Sequence, residues 1–289
     1  MKRSTAVERG GASLSLKLKL IGYPIKHSLS PWIQSSFLER SGVEGSYTLH
    51  EIPSKEIFGE EMKKLREAEI NGFNITVPYK ETIIPYLDKI DITAERVGAV
   101  NTVSLEGNKW VGYNTDGIGY VQALRDKFPD MDKDIDVPII ILGAGGAARG
   151  IFHGLVQAGY KNLTLANRTR SKCEDITNGT SASVITLEEA EKNIAAYNVI
   201  IQTSSVGMNE AKQIIDLSNI QEGTIVSDIV YQPLVTQFLK QAGEKGGRIH
   251  YGHTMLLYQA QKAFEIWTNK KVDVHGMDEE MIAKIKGEK

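Results

Sequence analysis

The stretch Val137-Pro138-Ile139-Ile140-Ile141-Leu142-Gly143-Ala144-Gly145-Gly146-Ala147-Ala148 decides the fold of this chain. Its first half is an apolar run, as expected for a strand buried on both faces of a parallel sheet. The glycines follow at once and open a helix expected to reach about residue 158. In that setting they form a dinucleotide fingerprint. Gly143 permits a tight turn, Gly145 lets backbone approach a pyrophosphate, and small Ala148 lets helix and strand pack closely. Amides at the helix N-terminus and the macrodipole favour diphosphate charge. Gly143, Ala144, Gly145, Gly146 and Ala147 are the expected cofactor loop; without strand and helix the same residues would be only a glycine-rich turn.

The next strand selects the nucleotide. NAD sites place an acid about 20 residues beyond the first glycine, on the ribose hydroxyls. Here the strand at 162–166 ends in Asn167-Arg168-Thr169, with no acid, and Lys172 follows. The planar guanidinium of Arg168 suits a 2′-phosphate, Asn167 and Thr169 offer neutral hydrogen bonds, and a carboxylate there would repel. NADP is therefore the expected cofactor, although an arginine after a strand can also be simply a surface charge.

Further strands are expected at 199–202 and 225–228 with helices between them, and a surface connection at 128–136. Upstream, residues 16–22 alternate like a strand, and Ser30-Pro31 reads as an N-cap and first helical residue of a helix to about residue 40. A strand at 47–52 follows, then a helix capped by Ser54 that carries Ile57, Met62 and Leu65. Next come a strand at 74–77, with Ile75 and Val77 on one face and Asn74 and Thr76 on the other, and a helix starting near Tyr79. Residues 100–105 and 110–113 read as a hairpin around Glu106-Gly107-Asn108, and the last helix spans 253–267. Strands alternating with helices argue for an α/β fold with mostly parallel, layered sheets.

Size and composition agree with this. The 289 residues suffice for two medium domains, and 41% apolar with 24% charged residues is ordinary for a globular protein. A net charge of −2 gives no reason to expect nucleic acid or an anionic membrane as partner, and no apolar run approaches the ~20 residues of a bilayer span. Residues 1–16 lack the apolar core of a secretory signal and read as a flexible extension. Cys173 is the sole cysteine, which suits a reducing, cytoplasmic setting, and His250 with His253 lacks a third ligand, so no metal is expected.

The segment Asn74-Ile75-Thr76-Val77-Pro78-Tyr79-Lys80 ends a strand on a lysine. A second polar cluster, Asn101-Thr102 with Asn114-Thr115-Asp116, supplies the carboxylate a working lysine would need. A Lys80–Asp116 pair could also be a structural ion pair.

Taken together these segments resemble the shikimate dehydrogenase family, over nearly everything from Lys17 onward. The matching pieces are His27-Ser28-Leu29-Ser30-Pro31, the 74–80 segment, Gly98-Ala99-Val100-Asn101-Thr102 and Gly112-Tyr113-Asn114-Thr115-Asp116-Gly117. They continue with the glycine loop, Asn167-Arg168-Thr169, Val206-Gly207-Met208, Asp228-Ile229-Val230-Tyr231-Gln232-Pro233 and Gln259. The resemblance implies NADPH-dependent reduction of 3-dehydroshikimate to shikimate, in the pathway to aromatic amino acids. It implies two domains with a cleft between them: a substrate domain of residues 17–115 plus 253–289, and a Rossmann-like NADP domain of residues 116–252. Lys80 and Asp116 would be the acid–base pair, while Ser28, Ser30, Thr76, Asn101, Tyr231 and Gln259 would meet the substrate. Backbone at Ile229 and Gly252 would touch the nicotinamide end. Ser28-Leu29-Ser30-Pro31 could also be only a helix cap.

Departures from the family pattern are Gln34-Ser35, Lys172 in place of a common arginine, Gln202-Thr203-Ser204, and Tyr251. Rival readings are a quinate/shikimate dehydrogenase with relaxed NAD or NADP use, and a non-enzymatic shikimate- or NADP-binding sensor; monomer and homodimer both stay open.

Overall fold

A computed structural model describes residues 15–287. In chain order the first elements are β1 (Leu16–Gly22), α1 (Ser30–Ser41), β2 (Gly45–Glu51), α2 (Phe58–Glu67) and β3 (Gly72–Ile75). Then follow β4 (Lys89–Ile90), α3 (Ile92–Val97), β5 (Thr102–Glu106), β6 (Lys109–Tyr113) and α4 (Asp116–Lys127). After these come β7 (Ile139–Leu142), α5 (Gly146–Gln157), β8 (Leu163–Ala166), α6 (Arg170–Thr177), β9 (Ser183–Ile185) and α7 (Leu187–Lys192). The last are β10 (Val199–Gln202), β11 (Ile225–Asp228), α8 (Gln237–Glu244), β12 (Arg248–Tyr251), α9 (Gly252–Thr268) and α10 (Met277–Lys286).

The strands form two six-stranded sheets. The first runs β2-β1-β3-β5-β6-β4; β1 is parallel to both neighbours, and the β5–β6 hairpin adds the antiparallel pairs. The second runs β12-β11-β10-β7-β8-β9, parallel throughout. Its strand order reverses at β7 and β10, and ligands of open α/β sheets bind beyond the C-terminal strand ends at such a switch point. Every residue of β7, β8, β10 and β11 is buried, and β7, Ile139-Ile140-Ile141-Leu142, accordingly reads as an unbroken apolar run rather than an alternation. Among the described residues no helix is long and apolar enough to cross a membrane.

Several local expectations are corrected. The strand expected at 74–77 lies at Gly72–Ile75, and Val77 is 68% exposed instead of sharing a buried face with Ile75. No regular helix starts near Tyr79. The Lys80 carbonyl accepts from the Val100 amide at 2.8 Å, and Pro85 lacks an amide to continue a helix, so only a short 3₁₀ turn forms at Ile84–Tyr86. Ser54 does not cap α2, since its hydroxyl turns to Glu56. Ser30 is the first residue of α1, not its cap. The 128–136 connection contains a 3₁₀ turn and buries Phe128 and Met131 against the second core. Residues 1–14 of the expected extension lie outside the described residues, and Leu16 already pairs with Gly45.

Candidate active site

Beyond β3 the chain stays tied to the first sheet. Thr76 N donates to Ile21 O at 2.9 Å, and the Lys80–Val100 backbone bond fixes the base of the lysine. Asp116 is the first residue of α4, where the helix dipole favours an acid. Its amide donates to Asn114 Oδ1 at 3.1 Å, and Asn114 Nδ2 donates to Ala99 O at 2.9 Å. These bonds bring Lys80 Nζ to 2.5 Å from Asp116 Oδ2, with 27% of the lysine side chain and 9% of the aspartate side chain exposed. That is a charge-assisted hydrogen bond, open on the lysine side.

Asn101 holds the other carboxylate oxygen. Its Nδ2 donates to Asp116 Oδ1 at 2.8 Å and to Thr115 Oγ1 at 2.9 Å, while its Oδ1 accepts from the Thr115 amide and the Thr102 hydroxyl, each at 2.9 Å. Asp116 cannot rotate without losing Lys80 or Asn101. Asn74 extends the network, accepting from the Tyr47 hydroxyl at 2.8 Å and donating to Thr102 Oγ1 at 3.0 Å. Burial pushes the Tyr47 phenol well up, so it serves as a donor.

The pair opens into a cleft of about 270 Å³. From the first half Ser30, Thr76 and Asn101 line it; Ile229 and Tyr231 face it from beyond β11; Gly252 and Gln259 reach it from α9. Ser28 does not line it. Its hydroxyl accepts the Ser30 amide at 3.2 Å and lies 3.2 Å from Ser30 Oγ, so one serine shapes the turn while the other faces the cleft. Asn74, which the sequence places on the polar face of the strand before Lys80, also lines it. So do Met255 and Leu256, which lie outside every sequence motif. Gly252, Met255, Leu256 and Gln259 are spaced i, i+3, i+4 and i+7, a single helix face, and that spacing was the available signal.

The glycine loop lies at the switch point. Gly143 has φ +117°, and a Cβ on it would come within 2.6 Å of Thr203 Oγ1, so both its conformation and its surroundings require glycine. Gly145 and Gly146 differ: a Cβ on either meets nothing within 4 Å. They leave a bare cradle at the N-terminus of α5, which fits a diphosphate. Beyond β8, Asn167 Nδ2 donates to Thr169 O at 3.0 Å, and Arg168, Thr169 and Lys172 are exposed.

Family models match in three blocks: the shikimate dehydrogenase substrate binding domain at residues 20–103, shikimate / quinate 5-dehydrogenase at 125–230, and the shikimate 5′-dehydrogenase C-terminal domain at 252–282. The chain is 54% identical over 276 residues to a shikimate dehydrogenase (NADP(+)) of Oceanobacillus iheyensis, spanning 95% of this chain and 100% of that one. The chain belongs to the shikimate dehydrogenase family. Among solved structures, the shikimate 5-dehydrogenase of Thermus thermophilus, in complex with NADP(H) and shikimate, is similar with a TM-score of 0.82 and 32% identity, over 93% of this chain and 99% of that one. The quinate dehydrogenase of Corynebacterium glutamicum, in complex with NAD, is similar with a TM-score of 0.85 and 26% identity, over 93% and 99%.

Within this shikimate dehydrogenase fold, two glycines of α4 join the halves of the molecule. A Cβ on Gly117 would lie 2.1 Å from Gly150 O of α5, and one on Gly119 would lie 2.4 Å from Gln259 N of α9. Asp116 thus begins a helix packed tightly against the helix of the glycine loop on one side and the Gln259 helix on the other. Close backbone approach, not side-chain interlock, fixes its place.

Proposed function

We propose that this chain catalyses the reversible NADPH-dependent reduction of 3-dehydroshikimate to shikimate, with Lys80 and Asp116 as its acid–base pair. The observation that carries the assignment to these two residues is the 2.5 Å contact between Lys80 Nζ and Asp116 Oδ2 inside a cleft lined from both sheets. Family membership and the NADP- and shikimate-bound relative support the substrate and cofactor.

Bound nicotinamide supplies a hydride to the ketone carbon, or receives one from the alcohol. Negative charge grows on the ketone oxygen in reduction, and Lys80 donates a proton to that oxygen as it forms. Asp116 orients the ammonium and balances its charge, while Asn101 keeps the carboxylate from turning away. In oxidation, neutral Lys80 takes the alcohol proton. Ser30, Thr76, Asn101 and Gln259 offer directional hydrogen bonds to hydroxyls and carboxylate of the substrate, with Ser28 supporting Ser30 and Tyr231 closing over the opposite side. Burial raises the Tyr231 phenol, which makes it a donor toward a carboxylate.

The cofactor would be held by amides of Gly143, Ala144, Gly145, Gly146 and Ala147 at its diphosphate. Asn167, Arg168, Thr169 and Lys172 would hold the 2′-phosphate, and backbone at Ile229 and Gly252 the nicotinamide end. We divide the chain accordingly into a substrate unit of 17–115 plus 253–289 and an NADP unit of 116–252, and place it in the cytoplasm. The deciding assay follows absorbance of the reduced nicotinamide, with shikimate and quinate each tested against NADP and NAD. Turnover is expected to be fastest with shikimate and NADP; faster turnover of quinate with NAD would assign the chain to the other branch of its family.

A further inference from the structure

A fully buried carboxylate stands just behind the cleft wall and takes no part in the proton chemistry above. Asp228 closes β11. Its Oδ1 accepts from the Val230 amide at 2.9 Å and from Gln202 Nε2 at 3.2 Å, and its Oδ2 accepts from the Thr236 hydroxyl at 2.7 Å. The loop from 229 to 236 is thereby gripped near both ends by one side chain. Ile229 and Tyr231, which line the cleft, lie on that loop. Thr236 Oγ1 also accepts from Leu239 N at 3.3 Å, so the hydroxyl that reaches Asp228 caps α8 as well.

Gln202 is the carboxylate's counterpart on the adjacent strand, in register with Asp228. Besides Asp228, its Nε2 donates to Val206 O at 3.0 Å, and its Oε1 accepts the Ser204 amide. One amide therefore closes the loop after β10 and joins it to the loop after β11. Thr203 continues the line, its hydroxyl donating to Leu142 O at 2.8 Å, one residue before the glycine loop. A hydrogen-bonded strut runs along the C-terminal edge of the second sheet, from the cofactor cradle to the cleft wall. Burial pushes the Asp228 carboxyl up to about 6 against the pull of its three donors. A buried acid of this kind lowers stability relative to an apolar residue, and what it returns is geometry.

We infer that Asp228 and Gln202 are positioning residues that hold the 229–231 wall at the point where nicotinamide and substrate meet. The inference rests on the dehydrogenase assignment above. Neither side chain lines the cleft; both act through the backbone they hold.

Two near-isosteric variants test this. Asp228→Asn replaces one carboxylate oxygen, and Gln202→Met keeps volume while removing both amide donations. With shikimate and NADP, each is expected to lower kcat about tenfold while KM for shikimate stays within about twofold, because a slightly displaced wall spoils reacting geometry before it spoils substrate binding. Titration with NADPH alone reads the same wall without turnover. The fluorescence enhancement of the bound nicotinamide should fall, with the dissociation constant held within about threefold by the intact diphosphate cradle. Wild-type kcat and wild-type enhancement in Gln202→Met would overturn the inference even if Asp228→Asn did not fold. A kcat loss equal to the lost folded fraction, read by near-ultraviolet circular dichroism, would overturn it too. Absence of turnover in the unaltered chain would count against the dehydrogenase assignment instead, and the NADPH titration would then decide the strut by itself.

Discussion

Asn101, on the first-sheet side of the cleft, is held at both ends of its side-chain amide by Thr102, Thr115 and Asp116. Gly145 and Gly146, at the mouth of the second sheet, have open space where a side chain would be. The first half places donors and acceptors in fixed directions; the second leaves room at a helix N-terminus. A small polyol with several hydroxyls needs the former, and a diphosphate that takes backbone amides needs the latter. The first half should therefore fail when an atom is removed, and the second when one is added.

Removal has its largest effect at Lys80. Lys80→Ala is expected to lower kcat about 10³-fold while the shikimate dissociation constant changes less than about tenfold, since the proton donor goes and the substrate clamps stay. Stopped-flow turnover beside equilibrium binding separates the two; unchanged turnover would remove the lysine from the mechanism. Addition has its largest effect at Gly145. Its φ of −91° and ψ of −173° lie in the extended region, so Gly145→Val imposes no backbone strain and only fills the cradle. KM for NADP should rise about 10²-fold with shikimate affinity and Tm nearly unchanged, because the substrate side contributes nothing to the diphosphate site. Equal weakening of both ligands would show that the two halves are not built independently.

The same contrast explains what was legible in the amino-acid sequence. The glycine loop, the buried strand before it and the Asn167-Arg168-Thr169 turn are local signals, set by neighbours within a few residues, and their elements lie within a residue or two of expectation. The hairpin at β5 and β6 was equally plain, with Gly107 at φ +63° in its turn. The segment leading to Lys80 departs from its expected shape, because its course depends on a bond from distant Val100. β12 carries no comparable local signal: Arg248-Ile249-His250-Tyr251 has no apolar run, and it becomes a strand by pairing with β11. Sequence chemistry suggested the meeting of Lys80 with Asp116; the distance follows from Gly117 and Gly150 seating α4, which no motif states.

A smaller effect is expected at the exposed end of the proposed cofactor site. Arg168→Ala should raise KM for NADP about tenfold and leave KM for NAD within about twofold, as expected for loss of one charge-assisted phosphate contact at a solvent-facing position. The difference should shrink as salt rises. Equal changes for both nucleotides would mean that Arg168 does not read the 2′-phosphate and that the second half selects by room alone.

The smallest effect tests whether the second half stores its ionisable groups behind the sheet instead of in the cleft. His250 is buried between Ser227 Oγ, 2.8 Å from Nδ1, and Thr254 Oγ1, 3.0 Å from Nε2, and burial above all pushes its imidazole down from 6.5 to about 3. Below pH 6.5 the unfolded chain binds a proton that the folded chain refuses, so this histidine's share of stability is lost as pH falls toward 3. Asp228 opposes it. Its carboxyl is raised from 3.8 to about 6, so between those values the folded state binds the proton first and gains stability as pH falls. From pH 6.5 to about 5 the histidine lowers stability and the aspartate raises it, so the two largely offset each other in the unaltered chain. Asp228→Asn should expose the full histidine slope in urea unfolding at the two pH values, and His250→Gln should reverse its sign. Parallel pH dependence in all three proteins would mean that neither group is shielded as its burial implies, and the contrast between the halves would then rest on the glycine cradle and the Asn101 network alone.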